Sequence, residues 1–413
     1  MYIPRQLEER IGHLGSRFKS VLVLGARQVG KTTLLKHLMP NAPYFVFDPV
    51  QDLYGARQDP DMFLKSYTPP LILDEVQYVP EVLSTIKRFV DESNQRGQYY
   101  LTGSQNFAAF RHISESLAGR VAIIELDPLT IYEQLYVSSH QSWLKCYLQE
   151  PAHLLSSDLK LLDMDLLNAI WKGGFPGTIG FSTADFHDFF NSYLQTYVER
   201  DVRMLTEVRD LSLFSRFISL QSALTAQEVN SSKLGREIGI APQTAQEWTF
   251  ILENSYQWIM IPPFSGNLIK RLSKKPKGYF TDTGFACYLT RINSRDALLG
   301  HPHFGHLFET FCVNQILRTL KTYGKSFNFY HWRTSGGAEV DLILEMDGIL
   351  YPIEFKSKTN PSRRDTQGLV QFMTDYAHLK IAPGLVIHGG DKAYKLQENI
   401  IAIPWHGVFL ENQ

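Results

Sequence analysis

Gly25-Ala26-Arg27-Gln28-Val29-Gly30-Lys31-Thr32, with Thr33 after it, has the residue types and spacing of a phosphate-binding loop. Gly25 and Gly30 let backbone N–H groups turn toward phosphate oxygens, Lys31 reaches the outer phosphates, and Thr32 offers a hydroxyl to Mg2+. Residues 25–33 are therefore the candidate nucleotide site. A second pair of groups follows where such a site needs one. Leu71-Ile72-Leu73 reads as a buried strand ending in Asp74-Glu75, where Asp74 would complete the Mg2+ shell and Glu75 would polarise the attacking water. Tyr99-Tyr100-Leu101 runs into Thr102-Gly103-Ser104. Ser104 or Thr102 there either senses the terminal phosphate or merely caps a strand end.

Near the C-terminus a different set of groups appears. Asp347-Gly348 is the favoured two-residue hairpin turn, so Met346 should pair with Ile349, placing Asp341 opposite Glu354 and Glu339 opposite Lys356. Alternation then sends Val340, Leu342 and Leu344, with Tyr351, Ile353 and Phe355, to one apolar face and the charged groups to the other. Two carboxylates about 5 Å apart repel by roughly 3 kcal/mol at an effective dielectric of about 20. A Glu339–Lys356 pair offsets only part of that. A divalent cation bridging Asp341 and Glu354, Mg2+ or Mn2+, would offset it and activate water at a phosphodiester. Lys356 would then steady the transition state and Glu309 would add a third acid. The competing reading is a wet outer face on which these charges are screened.

The elements that must position these groups are legible in outline. Val21-Leu22-Val23-Leu24 reads as the strand before the loop and Thr32-Thr33-Leu34-Leu35 as the start of the helix after it. With Tyr44–Phe47 and Val121–Leu126 as further strands, the first 135 residues predict a parallel sheet with helices on both faces. Arg111 and Arg120 follow the strand Tyr99–Leu101. Arg120 is the chosen candidate for an arginine finger reaching a neighbouring subunit's phosphate, which implies a homo-oligomer. Residues 136–205 read as a helical connector with a turn at Gly173-Gly174-Phe175-Pro176-Gly177, and Arg200 within it could touch the nucleotide. Residues 206–295 contain two helices separated by Gly239 and Pro242, then the basic run Lys270, Arg271, Lys274, Lys275 and Lys277. That pattern predicts a winged helix whose Gln243, Thr244 and Gln246 face a DNA groove, or a module that meets a protein partner. Residues 296–413 form the last domain.

Composition narrows the classes. At 413 residues the chain is too long for one ordinary core. A net charge of -1 argues against wholesale coating of a polyanion, so any nucleic-acid contact needs a local patch. Cys146, Cys287 and Cys312 are too scattered for a zinc site or redox pair. No apolar run could span a bilayer, and the charged start is unlike a secretion signal. A cytoplasmic protein without membrane contact is expected.

At Gly25–Thr33, Leu73-Asp74-Glu75-Val76-Gln77, Thr102-Gly103-Ser104, Leu117-Ala118-Gly119-Arg120-Val121, Gly173-Gly174-Phe175-Pro176, Tyr279-Phe280-Thr281-Asp282-Thr283-Gly284, and Glu339-Val340-Asp341 with Glu354-Phe355-Lys356, the chain resembles a family of bacterial and archaeal AAA-type ATPases. These carry a C-terminal restriction-endonuclease-like domain of unassigned function. The resemblance implies an α/β fold built of a P-loop ATPase domain, a helical connector with a winged helix, and a restriction-endonuclease-like α/β domain. It implies ATP binding and hydrolysis by the first domain, and metal-dependent cleavage of DNA through Glu309, Asp341, Glu354 and Lys356 by the last. Val340 stands where such nucleases have proline. The rival expectation is an ATP-gated signalling or DNA-binding regulator whose last domain is catalytically inactive.

Overall fold

The structure is a computed structural model that describes residues 2–105, 119–156, 158–197, 202, 210–266 and 275–409. Arg111, Arg200, Lys270, Arg271 and Lys274 lie outside the described residues. The chain divides into two compact units. One comprises Met1–Leu129, Tyr193–Arg209 and Thr249–Gln257, the other Thr130–Ser192, Asp210–Trp248 and Trp258–Gln413. Among the described residues no helix is long and apolar enough to cross a membrane.

The first unit is built on five parallel strands: β1 (Ser20–Leu24), β2 (Tyr44–Val46), β3 (Leu71–Asp74), β4 (Tyr99–Gly103) and β5 (Val121–Glu125), in the spatial order β2-β3-β4-β1-β5. Every residue of β1 and β3 is buried, which is why both read as unbroken apolar runs rather than alternating ones. Helix α1 (Glu8–Arg17) precedes β1, and α2 (Lys31–Leu38) starts directly at the loop lysine. Helix α3 (Pro60–Lys65) follows β2. Helix α4 (Pro80–Glu92) starts on Pro80, whose missing N–H costs nothing at a first helical position, and buries Val82, Leu83, Ile86 and Val90 at helical spacing. These side chains share a core with Leu22, Leu24, Phe45, Leu71, Leu73 and Leu101. Because β4 lies between β1 and β3, the ends of all three strands bring the loop, Asp74-Glu75 and Thr102–Ser104 together. That crevice beyond the carboxyl ends of parallel strands is where open α/β sheets bind ligands.

Glu253 belongs to the same unit, on the helix Pro242–Asn254. Burial pushes its carboxyl up to about 7. A group whose folded-state pKa is raised binds its proton more tightly in the native state, so the stability linked to Glu253 is present below about pH 4.5 and is lost as pH rises toward about 7. The unscreened maximum is about 3 kcal/mol, which the partial exposure of Glu253 lowers. Urea denaturation between pH 5 and pH 8 should show a falling midpoint, and Glu253→Gln should flatten that slope.

In the second unit a six-stranded mixed sheet runs in the order Asn328–Arg333, Glu339–Met346, Ile349–Lys356, Gly384–His388, Ile400–Pro404, Tyr394–Gln397. The hairpin turns at Asp347 and Gly348, with φ of 53° and 76°, the left-handed pair that a tight two-residue turn needs. Its register is the expected one from Met346↔Ile349 to Leu342↔Ile353. One step further the ladder changes, because the N–H of Phe355 donates to Asp341 Oδ2 at 3.0 Å. On the other side Tyr330 pairs with Ile343 but Trp332 pairs with Val340, so Asp341 and Leu342 together stand against the single residue His331. This bulge reverses the alternation. Val340 joins Ile343 and Leu350 in one apolar cluster instead of lying with Leu342 and Leu344.

A smaller antiparallel sheet has Lys277–Phe280 as its middle strand, flanked by Gln227–Glu228 and Trp258–Ile261. Ahead of it stand the helices Leu211–Ala223, Ser231–Ile238 and Pro242–Asn254, with Gly239 at φ 79° closing the second of them. The glycine turn at Gly173-Gly174 is structural. Gly174 N–H donates to Asp282 at 2.8 Å, and a side chain on Gly173 would come within 2.2 Å of the same carboxylate.

Candidate functional site

The nucleotide loop has the backbone that its glycines were expected to supply. Gly25 (φ 147°) and Gly30 (φ 97°) are left-handed or beyond the reach of ordinary side chains, and a Cβ on Gly25 would meet Leu126 O at 2.1 Å. Lys31 is buried, with its ammonium 2.9 Å from Gly25 O and 2.8 Å from Ala26 O, folded over the loop it would leave to meet a phosphate. Arg5, which sequence reasoning missed, buries its guanidinium against the loop. It donates to Val29 O at 2.8 Å and to Asp127 O at 2.6 Å. Nothing in its neighbourhood in sequence marks it, since its partners lie 24 and 122 residues away. Arg27 reaches Tyr78 at 3.0 Å.

Thr32 and Asp74 are in contact, Oγ1 donating to Oδ2 at 2.8 Å, so the two groups expected to hold Mg2+ face the same point. Asp74 collects two further hydroxyls: Tyr44 donates to Oδ2 at 2.7 Å and Thr102 donates to Oδ1. These donors fix the carboxylate in one orientation. The phenol of Tyr44 is held well above its ordinary pKa by burial and by the bond to Asp74, and Lys36 lies over its ring at 3.4 Å. Tyr44 was read only as a strand residue. Tyr44→Phe is expected to raise the Mg2+ concentration for half-maximal turnover by roughly tenfold, the effect of removing one bond to a charged group, while metal-free nucleotide binding is unchanged. A Mg2+ titration of ATPase activity checks this.

Glu75 stands at φ 58°, a conformation that costs a non-glycine residue about 1–3 kcal/mol. It is held there from β4, where Thr102 Oγ1 accepts its N–H at 3.1 Å. Gln77 donates to the Glu75 carboxylate and also to Ser104 Oγ at 3.2 Å. Thr102 and Ser104 thus touch Asp74, Glu75 and Gln77 rather than merely ending a strand. Arg120 lies elsewhere. It precedes β5, beside Ser20 at the start of β1, and is paired with Asp91 at 2.5 and 2.9 Å. The loop lies at the other end of that strand, so Arg120 does not reach the phosphates of its own chain.

The structure brings Glu309, Asp341, Glu354 and Lys356 into one buried cluster, and adds two groups that sequence reasoning placed elsewhere. Lys277 had been read as part of a basic wing meeting phosphates. It is instead buried, 8% exposed, with Nζ 2.5 Å from Glu309 Oε1 and 3.1 Å from Asp341 Oδ1. Tyr279 donates to the same Glu309 oxygen at 2.7 Å. Lys356 pairs with Glu354 at 2.6 Å and not with Glu339, whose exposed carboxylate lies 3.7 Å from Arg333. The acids are not on a wet face, since Glu309, Asp341 and Glu354 are 7%, 5% and 5% exposed.

Electrostatics follow from that burial. Glu309 is pushed up to about 7 by desolvation and by Asp341. Glu354 is raised for the same two reasons. Burial works against the charge of Asp341 too, but Lys277, Lys356 and the Phe355 N–H outweigh it and hold the carboxyl low. For Lys277 burial is likewise outweighed, by Glu309, Tyr279 and Asp341, so the ammonium stays charged. The donor set does not suit a divalent ion: Glu309 Oε1 and Asp341 Oδ1 both point at an ammonium, and among the described residues no three His, Cys, Asp or Glu side chains are grouped to hold a metal.

Residues 17–135 match the family model described as AAA domain, and residues 163–296 and 304–408 match two domains of unknown function. Uncharacterized proteins of Mycobacterium tuberculosis and Mycobacterium bovis are each 26% identical over 401 residues, which is 97% of this chain and 83% of theirs. Among solved structures, a Walker-type ATPase of Pyrococcus abyssi is 16% identical, with 70% of this chain and 96% of that one covered at a TM-score of 0.45. The Holliday junction branch migration motor RuvB of Thermotoga maritima is 18% identical, with 63% and 90% covered at a TM-score of 0.30. The N-terminal part of the chain is thus similar to AAA domains.

Proposed function

We propose that this protein binds ATP with Mg2+ at residues 25–33 and hydrolyses it, with Thr32 and Asp74 holding the ion, Lys31 the outer phosphates and Glu75 the attacking water. The observation that carries this reading is the convergence of three strand ends: Thr32 on Asp74, and Thr102 on both Asp74 and the Glu75 backbone. Mg2+ in that place would neutralise developing charge on the phosphates. This chain's own residues orient Asp74 through three hydroxyls and fix Glu75 through Thr102 and Gln77. Purified protein should release phosphate from ATP in Mg2+ and lose all activity in excess EDTA. Equal rates with and without the chelator would overturn the reading.

For the rest of the chain the reading is an ATP-gated regulator, and the pairing of Lys277 and Lys356 with the carboxylates of Glu309, Asp341 and Glu354 supports it. In this reading the helices 211–254 and the three-stranded sheet act as a winged helix. Gln243 and Gln246 are exposed on it, but Glu247 and Phe250 share their face of the helix, and Lys277 is withdrawn from the wing. That mixture suits a protein partner more than phosphates, which call for unpaired cations. Arg120, if it acts as a finger, acts on a second copy of the chain.

A further inference from the structure

We infer that Lys277 is a resident counter-cation of the C-terminal carboxylate centre: it fills the point at which Glu309 and Asp341 converge, and the centre takes up a divalent ion only when that ammonium is gone. Glu309 comes from the helix Phe304–Tyr323 and Asp341 from the strand Glu339–Met346, yet one Nζ lies within 3.1 Å of an oxygen from each. Two buried carboxylates held this close need a positive charge between them. Lys277 supplies it from within the chain.

A bound Mg2+ would ask for about six oxygens at about 2.0–2.1 Å. Here Glu309 Oε1 is engaged by Lys277 and Tyr279, Asp341 Oδ1 by Lys277, Asp341 Oδ2 by the Phe355 N–H, and Glu354 Oε1 by Lys356. Glu354 Oε2 is buried without a hydrogen-bond partner. That oxygen marks where an incoming ion would gain a ligand, but alone it does not make a site. The centre is open to an incoming ion, since a cavity of about 390 Å³ borders both Lys277 and Glu309, with His306, His331 and Arg333 in its wall. The Lys277 ammonium stands where such an ion would meet Glu309 and Asp341 together.

Lys277 is also placed by an element distinct from the acids. It opens the middle strand of the three-stranded sheet, its backbone paired with Glu228 and Ile261, so a shift of that strand would carry the cation away from both carboxylates together. The cation that closes the centre thus belongs to a different element from the acids it joins.

The test is equilibrium binding of Mn2+, followed by electron paramagnetic resonance of the free ion, to the full chain without nucleotide. All samples carry Asp74→Asn, which removes the N-terminal carboxylate from the count and makes the outcome independent of the ATPase reading. The background protein should bind no Mn2+ at the C-terminal centre. Lys277→Ala should gain one bound ion per chain, and adding Asp341→Asn should abolish the gain. Should Lys277→Ala fail to fold, Lys277→Gln, a neutral side chain that can still donate a hydrogen bond, keeps Glu309, Asp341 and Glu354 and should show the same gain. Mn2+ bound equally well with Lys277 present, or no gain on its removal, overturns the inference.

Discussion

Glu75→Gln should lower ATP turnover by roughly 10²–10⁴-fold, the contribution of a positioned general base, while ATP binding stays within about twofold of the wild-type chain. The substitution removes charge and basicity but little else. A glutamine at this position can adopt the same left-handed backbone as Glu75, its N–H still finds Thr102 Oγ1, and its side-chain oxygen can still accept from Gln77. The phosphate loop, Lys31 and the Thr32–Asp74 pair are untouched, so the ground-state contacts to nucleotide remain. A loss confined to the rate constant is the signature of an interaction made in the transition state. Fluorescent-nucleotide binding and phosphate release measured on one preparation separate the two quantities, and turnover at the wild-type rate would remove Glu75 from the role. Gln77→Ala should fall between these limits, because Gln77 touches the base rather than the reacting water.

The nucleotide site was legible because its chemistry is carried by backbone geometry and by short segments. Gly25 and Gly30 are needed for the turn itself, and the runs Val21–Leu24 and Leu71–Leu73 are apolar because both faces of their strands are covered. The hairpin was legible for a similar reason, since Asp347-Gly348 fixes register locally. What failed was alternation beyond the turn. A bulge near Asp341 adds one residue to the strand and reverses which side chains share a face, and nothing in the residue types announces it. Partners distant in sequence were also invisible. Tyr44 meets Asp74 across 30 residues and Lys277 meets Asp341 across 64. In the linear text Lys277 is one of five cations between positions 270 and 277, and such a cluster is by default a solvated face. Its burial is a property of the strand that carries it, which places it in a core while Lys275, two residues before it, is exposed.

That burial is also why Lys277→Ala should destabilise the second unit by about 3–5 kcal/mol, the usual consequence of leaving a buried charge without its partner. The size of the loss follows from what remains. Glu309 and Asp341 would face each other at 7% and 5% exposure with no cation between them, and Lys356 is already held by Glu354. Protonation offers partial relief, since the Glu309 carboxyl sits at about 7 even with Lys277 present and would move higher without it. The deficit should therefore be larger at pH 8 than at pH 5.5, where a neutral Glu309 can share a hydrogen bond with Asp341. Lys277→Met/Glu309→Gln, which removes both signs of charge at once, should recover most of the loss, because an ion pair replaced by neutral groups of similar size is often close to neutral in stability. Urea denaturation of the three proteins at the two pH values gives the comparison. A loss below about 1 kcal/mol for Lys277→Ala at pH 8 would mean that water screens the ammonium as it does a surface pair, and the centre would then have room for another cation.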